Sequence, residues 1–214
     1  MKGCPRHILE ELLQNTLPAE DASNIGRLVS YDEIMTAMFS IGNDKAPGTN
    51  GYSSYFFKSA WSIVGGDVKD AVLYFFQNGT IIPAFNFTSI TLVPKNQNPT
   101  YIKDYRPISC CSVLYKCVTK ILSNRLKMYM PKLIEKNQSA FIFGRCIEDN
   151  VLLAQEMVRG YARSTLSPRC AIKVDLQKAF DSLSWDFILE VLTVLHFPAQ
   201  FIEWVRGVGS LGIG

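Results

Sequence analysis

The sequence contains no apolar run approaching the ~18 residues that a membrane-spanning helix needs. It has no CxxC pair, and only His7 and His196 could join its six cysteines in a metal cluster. Zinc-type ligand spacing is therefore missing. The opening MKGCPRHILEELLQ places Glu10 and Glu11 inside the only stretch that could act as a secretory core, which argues against secretion and for an intracellular protein. No compact run of Lys and Arg marks nuclear import, so nucleus and cytoplasm stay equally open. Without a secretory signal, Cys4, Cys110, Cys111, Cys117, Cys146 and Cys170 read as free thiols. Charged residues make up only 19% of the chain, and mean hydropathy is +0.09. That composition excludes a disordered tail or linker. What is present is apolar: 48% of the chain, whose 214 residues are long enough to bury about 70% of the unfolded surface.

Charge of one sign is concentrated in one place. Residues 95–136 hold nine basic side chains (Lys95, Lys103, Arg106, Lys116, Lys120, Arg125, Lys127, Lys132 and Lys136) against Asp104 and Glu135. The rest of the chain is net acidic. Such clustering fits a surface for polyphosphate or nucleic acid. It equally fits a solvated helix face, because Lys116, Lys120 and Lys127 can stand opposite an apolar stripe.

Periodicity predicts a short helix over 7–15 and a second from Ser30, where Ser30 and Glu33 have capping-box spacing. Residues 44–51 (DKAPGTNG) read as a turn. Helical spacing resumes over 55–61 and from Val68 to Gly79. Thr88–Val93 is β-branched and closed by Pro94, hence a strand. After a polar loop, Tyr105–Ser109 is extended, because Pro107 keeps Arg106 out of the helical region. Ser112 then caps a long amphipathic helix. Further helices are expected over about 148–160 and from Ser184, with another opening at Pro198. Cys170–Leu176 (CAIKVDL) reads as a short strand. Strands this few among many helices indicate an α+β chain.

Asp175 is the one acid in that strand. Burying it without a cation or donor would cost several kcal/mol, on the order of what an unpaired charge costs. At a strand end it can hold a divalent metal through oxygen, or simply cap the next turn.

The residues that follow are informative. DLQKAFD (175–181) and SLSWDF stand downstream of DKAPGTNG (44–51), LVPK (92–95), DYRPIS (104–109) and NQSAFIFGR (137–145). In this order and spacing the chain, from about 44 to about 204, resembles the reverse transcriptases of non-LTR (LINE-type) retrotransposons, plant ones in particular. The resemblance implies part of a right-hand polymerase. Residues 1–87 would form a helical N-terminal extension, 88–168 the fingers, and 169–214 the start of a palm. It implies Mg²⁺-dependent addition of deoxynucleotides (dNTP) to a DNA primer 3′-OH on an RNA template. Asp175 matches the first metal-binding aspartate, and Leu176 would offer a backbone carbonyl to the metal. Phe180 falls at the aromatic steric gate that selects deoxyribose, or is an ordinary core ring. Arg106 and Lys95 match fingers positions that meet the incoming triphosphate; each alone would be a solvated charge. Gln138, Gly144 and Arg145 match a segment near template and nucleotide. Phe141 and Phe143 are expected to pack into the core rather than to serve as base-stacking platforms.

The chain departs from the pattern as well. It contains no Asp-Asp pair, which in the family supplies the rest of the metal cage, and no glycine-glutamine motif. Thr49-Asn50 stand where relatives carry Pro-Asp. The expectation is a chain that stops partway through its palm and cannot polymerise alone. A noncatalytic RNA- or DNA-binding module and an inert remnant are the competing readings. An exposed apolar patch is expected near the C-terminal third.

Overall fold

Ser30 accepts a hydrogen bond from the Glu33 amide through its hydroxyl (3.2 Å), and a helix follows from it. Ser184 does the same for the Phe187 amide (3.2 Å). Ser112, almost fully buried, accepts from the Tyr115 amide (3.2 Å) while donating to the Phe85 carbonyl (3.0 Å). Each hydroxyl satisfies an amide that a helix start leaves open. The computed structural model describes residues 5–159, 170, 172, 174 and 183–209.

Among these, α1 is Arg6–Leu12, α2 Ala19–Ile25, α3 Tyr31–Ser40, α4 Ser54–Ser59 and α5 Trp61–Asn78. A hairpin of β1 (Thr88–Pro94) and β2 (Tyr105–Cys111) follows, then α6 (Val113–Leu133) and α7 (Ile147–Val158). The last elements are α8 (Trp185–Val194) and α9 (Ala199–Gly209). The fold is α+β, helix-rich with one small antiparallel sheet. The short α2 is the helix that periodicity missed. The expected strand at 170–176 lies mostly outside the described residues; Cys170, Ile172 and Val174 are exposed and in no regular element.

Two compact units divide the chain by packing rather than by sequence order. One comprises 22–125 with 198–214. Its core joins Ile34 and Met38 of α3, Val72 and Phe75 of α5, Cys117 and Ile121 of α6, and Phe201 and Trp204 of α9. Gly79 ends α5 in the left-handed conformation (φ 70°), its amide bonded to the Phe75 carbonyl at 2.7 Å. The Trp204 indole donates to the Phe76 carbonyl (2.8 Å) and meets the Phe76 ring edge-on at 5.0 Å. A Cβ on Gly207 would lie 1.8 Å from the Gly79 carbonyl oxygen, so α9 approaches this helix end only because it carries glycine there. The 44–51 turn is seated in the same way: a Cβ on Gly48 would lie 2.6 Å from Ser112 Cα.

The other unit comprises 1–21 with 126–197. Here α1 packs on α8, with Leu9, Leu189, Leu192 and Leu195 buried, and the Leu17 amide donates to the Leu195 carbonyl (2.9 Å). In α7 no residue is buried, and Ile147, Val151, Leu152 and Met157 are exposed. Exposed apolar side chains are not confined to the C-terminal third, since Leu12, Leu28, Ile63 and Ile102 are exposed as well, and α8, where the sequence suggested a patch, buries Leu189, Leu192 and Val194.

Candidate nucleic-acid interface

The hairpin brings two of the sequence-selected cations to one end of one face. Val93 pairs with Arg106 and Pro94 with Tyr105, and the Lys95 amide donates to the Asp104 carbonyl (2.7 Å). With a side-chain period of two, Lys95 and Arg106 point the same way. Asp104 organises the loop between them: its carboxylate accepts from the Tyr101 and Thr100 amides at 2.9 and 3.0 Å. Those bonds, Tyr101's foremost, hold its carboxyl below the ordinary aspartate value, with Lys95's charge assisting. The Lys95 ammonium donates to the Lys103 carbonyl (2.6 Å) and so is tied to the loop. Arg106 is exposed, and its guanidinium has no hydrogen-bond or ion-pair partner among the described residues. An open guanidinium fork can take two phosphate oxygens at once.

Gln138, Gly144 and Arg145 lie together in the turn between α6 and α7, in the other unit. Arg145 donates through Nη2 to the Ile134 and Pro131 carbonyls (2.8 and 3.0 Å) and through Nη1 to those of Gln138 (2.6 Å) and Glu135. These include carbonyls that the end of α6 leaves without helical partners, so Arg145 is the clamp that fixes the turn. The Gln138 amide donates to the Ala140 carbonyl (3.2 Å), and Gly144 sits at φ 78°.

Packing was expected for the two rings of this turn, and here the structure corrects the sequence. Phe141 is 94% exposed and Phe143 65% exposed. Arg145 and the buried Ser139 occupy the inner side of the turn, and Phe141 itself adopts φ 64°.

The nine cations of 95–136 do not act alike. Those up to Arg125 belong to one unit, and Lys127, Lys132 and Lys136 to the other. Lys116 donates to the Ala46 carbonyl. Lys132 is paired with Asp21, and that hydrogen bond, the foremost cause, raises its pKa. Arg125 is only 4% exposed and is held by Glu33 and three backbone carbonyls. Its spacing was the overlooked signal: Arg125 stands four residues from Ile121 and four from Tyr129, on the buried stripe of α6. Lys103, Arg106, Lys120, Lys127 and Lys136 keep side chains without a hydrogen-bond or ion-pair partner among the described residues, Lys103 and Lys127 standing over the Tyr101 and Phe143 rings.

Asp175, Leu176 and Phe180 lie outside the described residues. Among the described residues no three His, Cys, Asp or Glu side chains converge as metal ligands, and no helix is long and apolar enough to cross a membrane.

Comparison with known proteins bears on this geometry. The profile of the family described as reverse transcriptase (RNA-dependent DNA polymerase) matches residues 93–209, which takes in the end of β1, all of β2 and the clamped turn. The "Transposon TX1 uncharacterized 149 kDa protein" of Xenopus laevis is 30% identical over 178 residues, 83% of this chain and 14% of that protein. The "Retrovirus-related Pol polyprotein from type-1 retrotransposable element R2" of Nasonia vitripennis is 26% identical over 208 residues, 95% of this chain and 19% of its own length. The corresponding "type-2 retrotransposable element R2DM" polyprotein of Drosophila melanogaster is 26% identical over 161 residues, 75% of this chain and 15% of its own. The chain thus spans less than a fifth of the length of each of these relatives.

Proposed function

The chain belongs to the reverse transcriptase (RNA-dependent DNA polymerase) family, in its non-LTR retrotransposon branch, and from that premise we propose that it handles template and nucleotide for RNA-directed DNA synthesis. The observation that carries this reading is Arg106: an exposed guanidinium without a partner among the described residues, on a hairpin whose loop is pinned by Asp104 and Lys95. Such a group is set to meet the phosphates of an incoming deoxynucleotide, with Lys95 beside it and Phe180 excluding a 2′-hydroxyl.

In this reading Asp175 and the Leu176 carbonyl hold Mg²⁺. When bound, the ion would favour attack by the primer 3′-OH and neutralise the departing pyrophosphate. Two metals ~3.5–4 Å apart need more carboxylates than this one, and the sequence supplies no Asp-Asp pair. The chain alone therefore binds template–primer without extending it. That is also how a noncatalytic nucleic-acid-binding module would behave, resting on the same free cations.

The test is primer extension on poly(rA)/oligo(dT) with Mg²⁺ and dTTP, run beside a binding measurement at rising salt. We expect no extension, together with binding that weakens steeply as salt rises, because each neutralised phosphate releases counterions. Template-dependent extension lost in Asp175→Ala would overturn the inactive reading. Absent or salt-independent binding would overturn the nucleic-acid reading itself.

A further inference from the structure

The turn between α6 and α7 presents two aromatic rings to solvent where a globular chain normally hides them. Phe141 is almost wholly exposed, and it holds a left-handed backbone conformation that a bulky residue adopts only when its surroundings impose it. Phe143 carries the Lys127 ammonium 4.8 Å from its ring centroid and leaves the rest of its surface open. Behind both rings the Arg145 clamp on four carbonyls fixes the turn. Ser139 is 5% exposed, and its hydroxyl has no partner among the described residues. Strain, an unsatisfied buried hydroxyl and exposed aromatics in a rigid frame are features that folding stability alone does not select.

We propose that Phe141 and Phe143 form a stacking platform for successive bases of single-stranded nucleic acid, with Lys127 receiving the adjoining phosphate. The proposal rests on the reading of the chain as one that handles nucleic acid, and it assigns to that reading two residues that the sequence reading placed in the core rather than on a stacking platform. Base–aromatic stacking needs a planar ring with an open face and is indifferent to sequence. The ammonium already at one ring supplies the charge that a flanking phosphate requires. Arg145 is the positioning residue, because its clamp lets the rings stand out without the turn collapsing over them.

The test measures anisotropy of a labelled oligouridylate of about 12 nucleotides, within the usual single-strand site sizes, bound to the full chain at several salt concentrations. Phe141→Gly removes the ring and installs the residue that the left-handed position favours. We expect about 5- to 150-fold weaker binding, the loss of one stacked base. The salt slope should stay unchanged, and the melting midpoint should be no lower than wild type. Phe141→Trp should keep the binding. Lys127→Ala should instead reduce the salt slope by about 1.

Wild-type affinity in the double variant Phe141→Gly, Phe143→Ala would overturn the platform alone. A wild-type chain that binds no single strand would overturn the nucleic-acid reading along with it. A lowered midpoint in Phe141→Gly would make the ring a packing element and end the proposal. Self-association lost on that substitution, with oligonucleotide binding intact, would assign the rings to a protein interface instead.

Discussion

Arg125→Met should destabilise the chain by about 3–5 kcal/mol, the usual cost of removing one partner from a buried ion pair. The Arg125 guanidinium donates to Glu33 at 2.7 and 2.9 Å and to the carbonyls of Ile25 (2.9 Å), Arg27 (2.7 Å) and Leu28 (3.3 Å). Trp204 lies 5.6 Å from its centre. Methionine preserves most of the stem packing but leaves three carbonyls without their donor and the Glu33 carboxylate with Arg27 as its remaining cation (3.1 Å). Arg125→Lys should recover only part of the loss, because an ammonium cannot fork to five acceptors. Urea melts of the three proteins check this.

The same pair fixes a pH dependence. Burial by itself would push the Glu33 carboxyl up. The Arg125 hydrogen bond and charge, with Arg27's charge and the Ser30 backbone, outweigh it and hold the carboxyl below its ordinary value of 4.5. A lowered folded-state pKa contributes stability that is fully present above the unfolded value and is lost as pH falls through the folded one. The stability gap between wild type and Arg125→Met should therefore be constant near neutrality and narrow below about pH 4.5.

Gly207→Ala should cost about 3 kcal/mol, at the upper end for a small-to-large change. The obstacle is backbone: the added Cβ would lie 1.8 Å from the Gly79 oxygen and 3.2 Å from the Phe75 ring. Gly79 cannot yield without losing the bond that closes α5. Relief requires α9 to withdraw, which pulls the Trp204 indole from the Phe76 carbonyl. Gly66→Ala is the matched control, since nothing lies within 4 Å of its Cβ position inside α5. It should instead stabilise by about 0.5–1 kcal/mol. Thermal melts should move in opposite directions for the two alanines.

How far these features could be read in advance depended on the range of the interaction. Ser30, Ser184 and Gly79 act on amides and carbonyls within four residues, so helix ends were legible from local chemistry. Pro94 and Pro107 marked the hairpin for the same reason. Arg125 was not legible as a structural cation from charge counting, because its partners at 25–28 and 33 are about a hundred residues away. Only the α6 stripe betrayed it. Arg145 and the two phenylalanines form the converse case. A motif marked the turn, but residue type could not say that the arginine faces inward to carbonyls while the rings face water. That inversion is set by the backbone conformations of Phe141 and Gly144.

The account turns on Arg106 as the partner-free cation of the hairpin strands, and titration of the chain with dTTP and Mg²⁺ tests it most directly. Arg106→Ala should weaken dTTP binding roughly 10- to 150-fold, as expected for lost hydrogen bonds to a charged group. Its melting midpoint should stay at the wild-type value, because the side chain is exposed. Equal dTTP affinity in wild type and Arg106→Ala, with both proteins folded, would contradict the assignment.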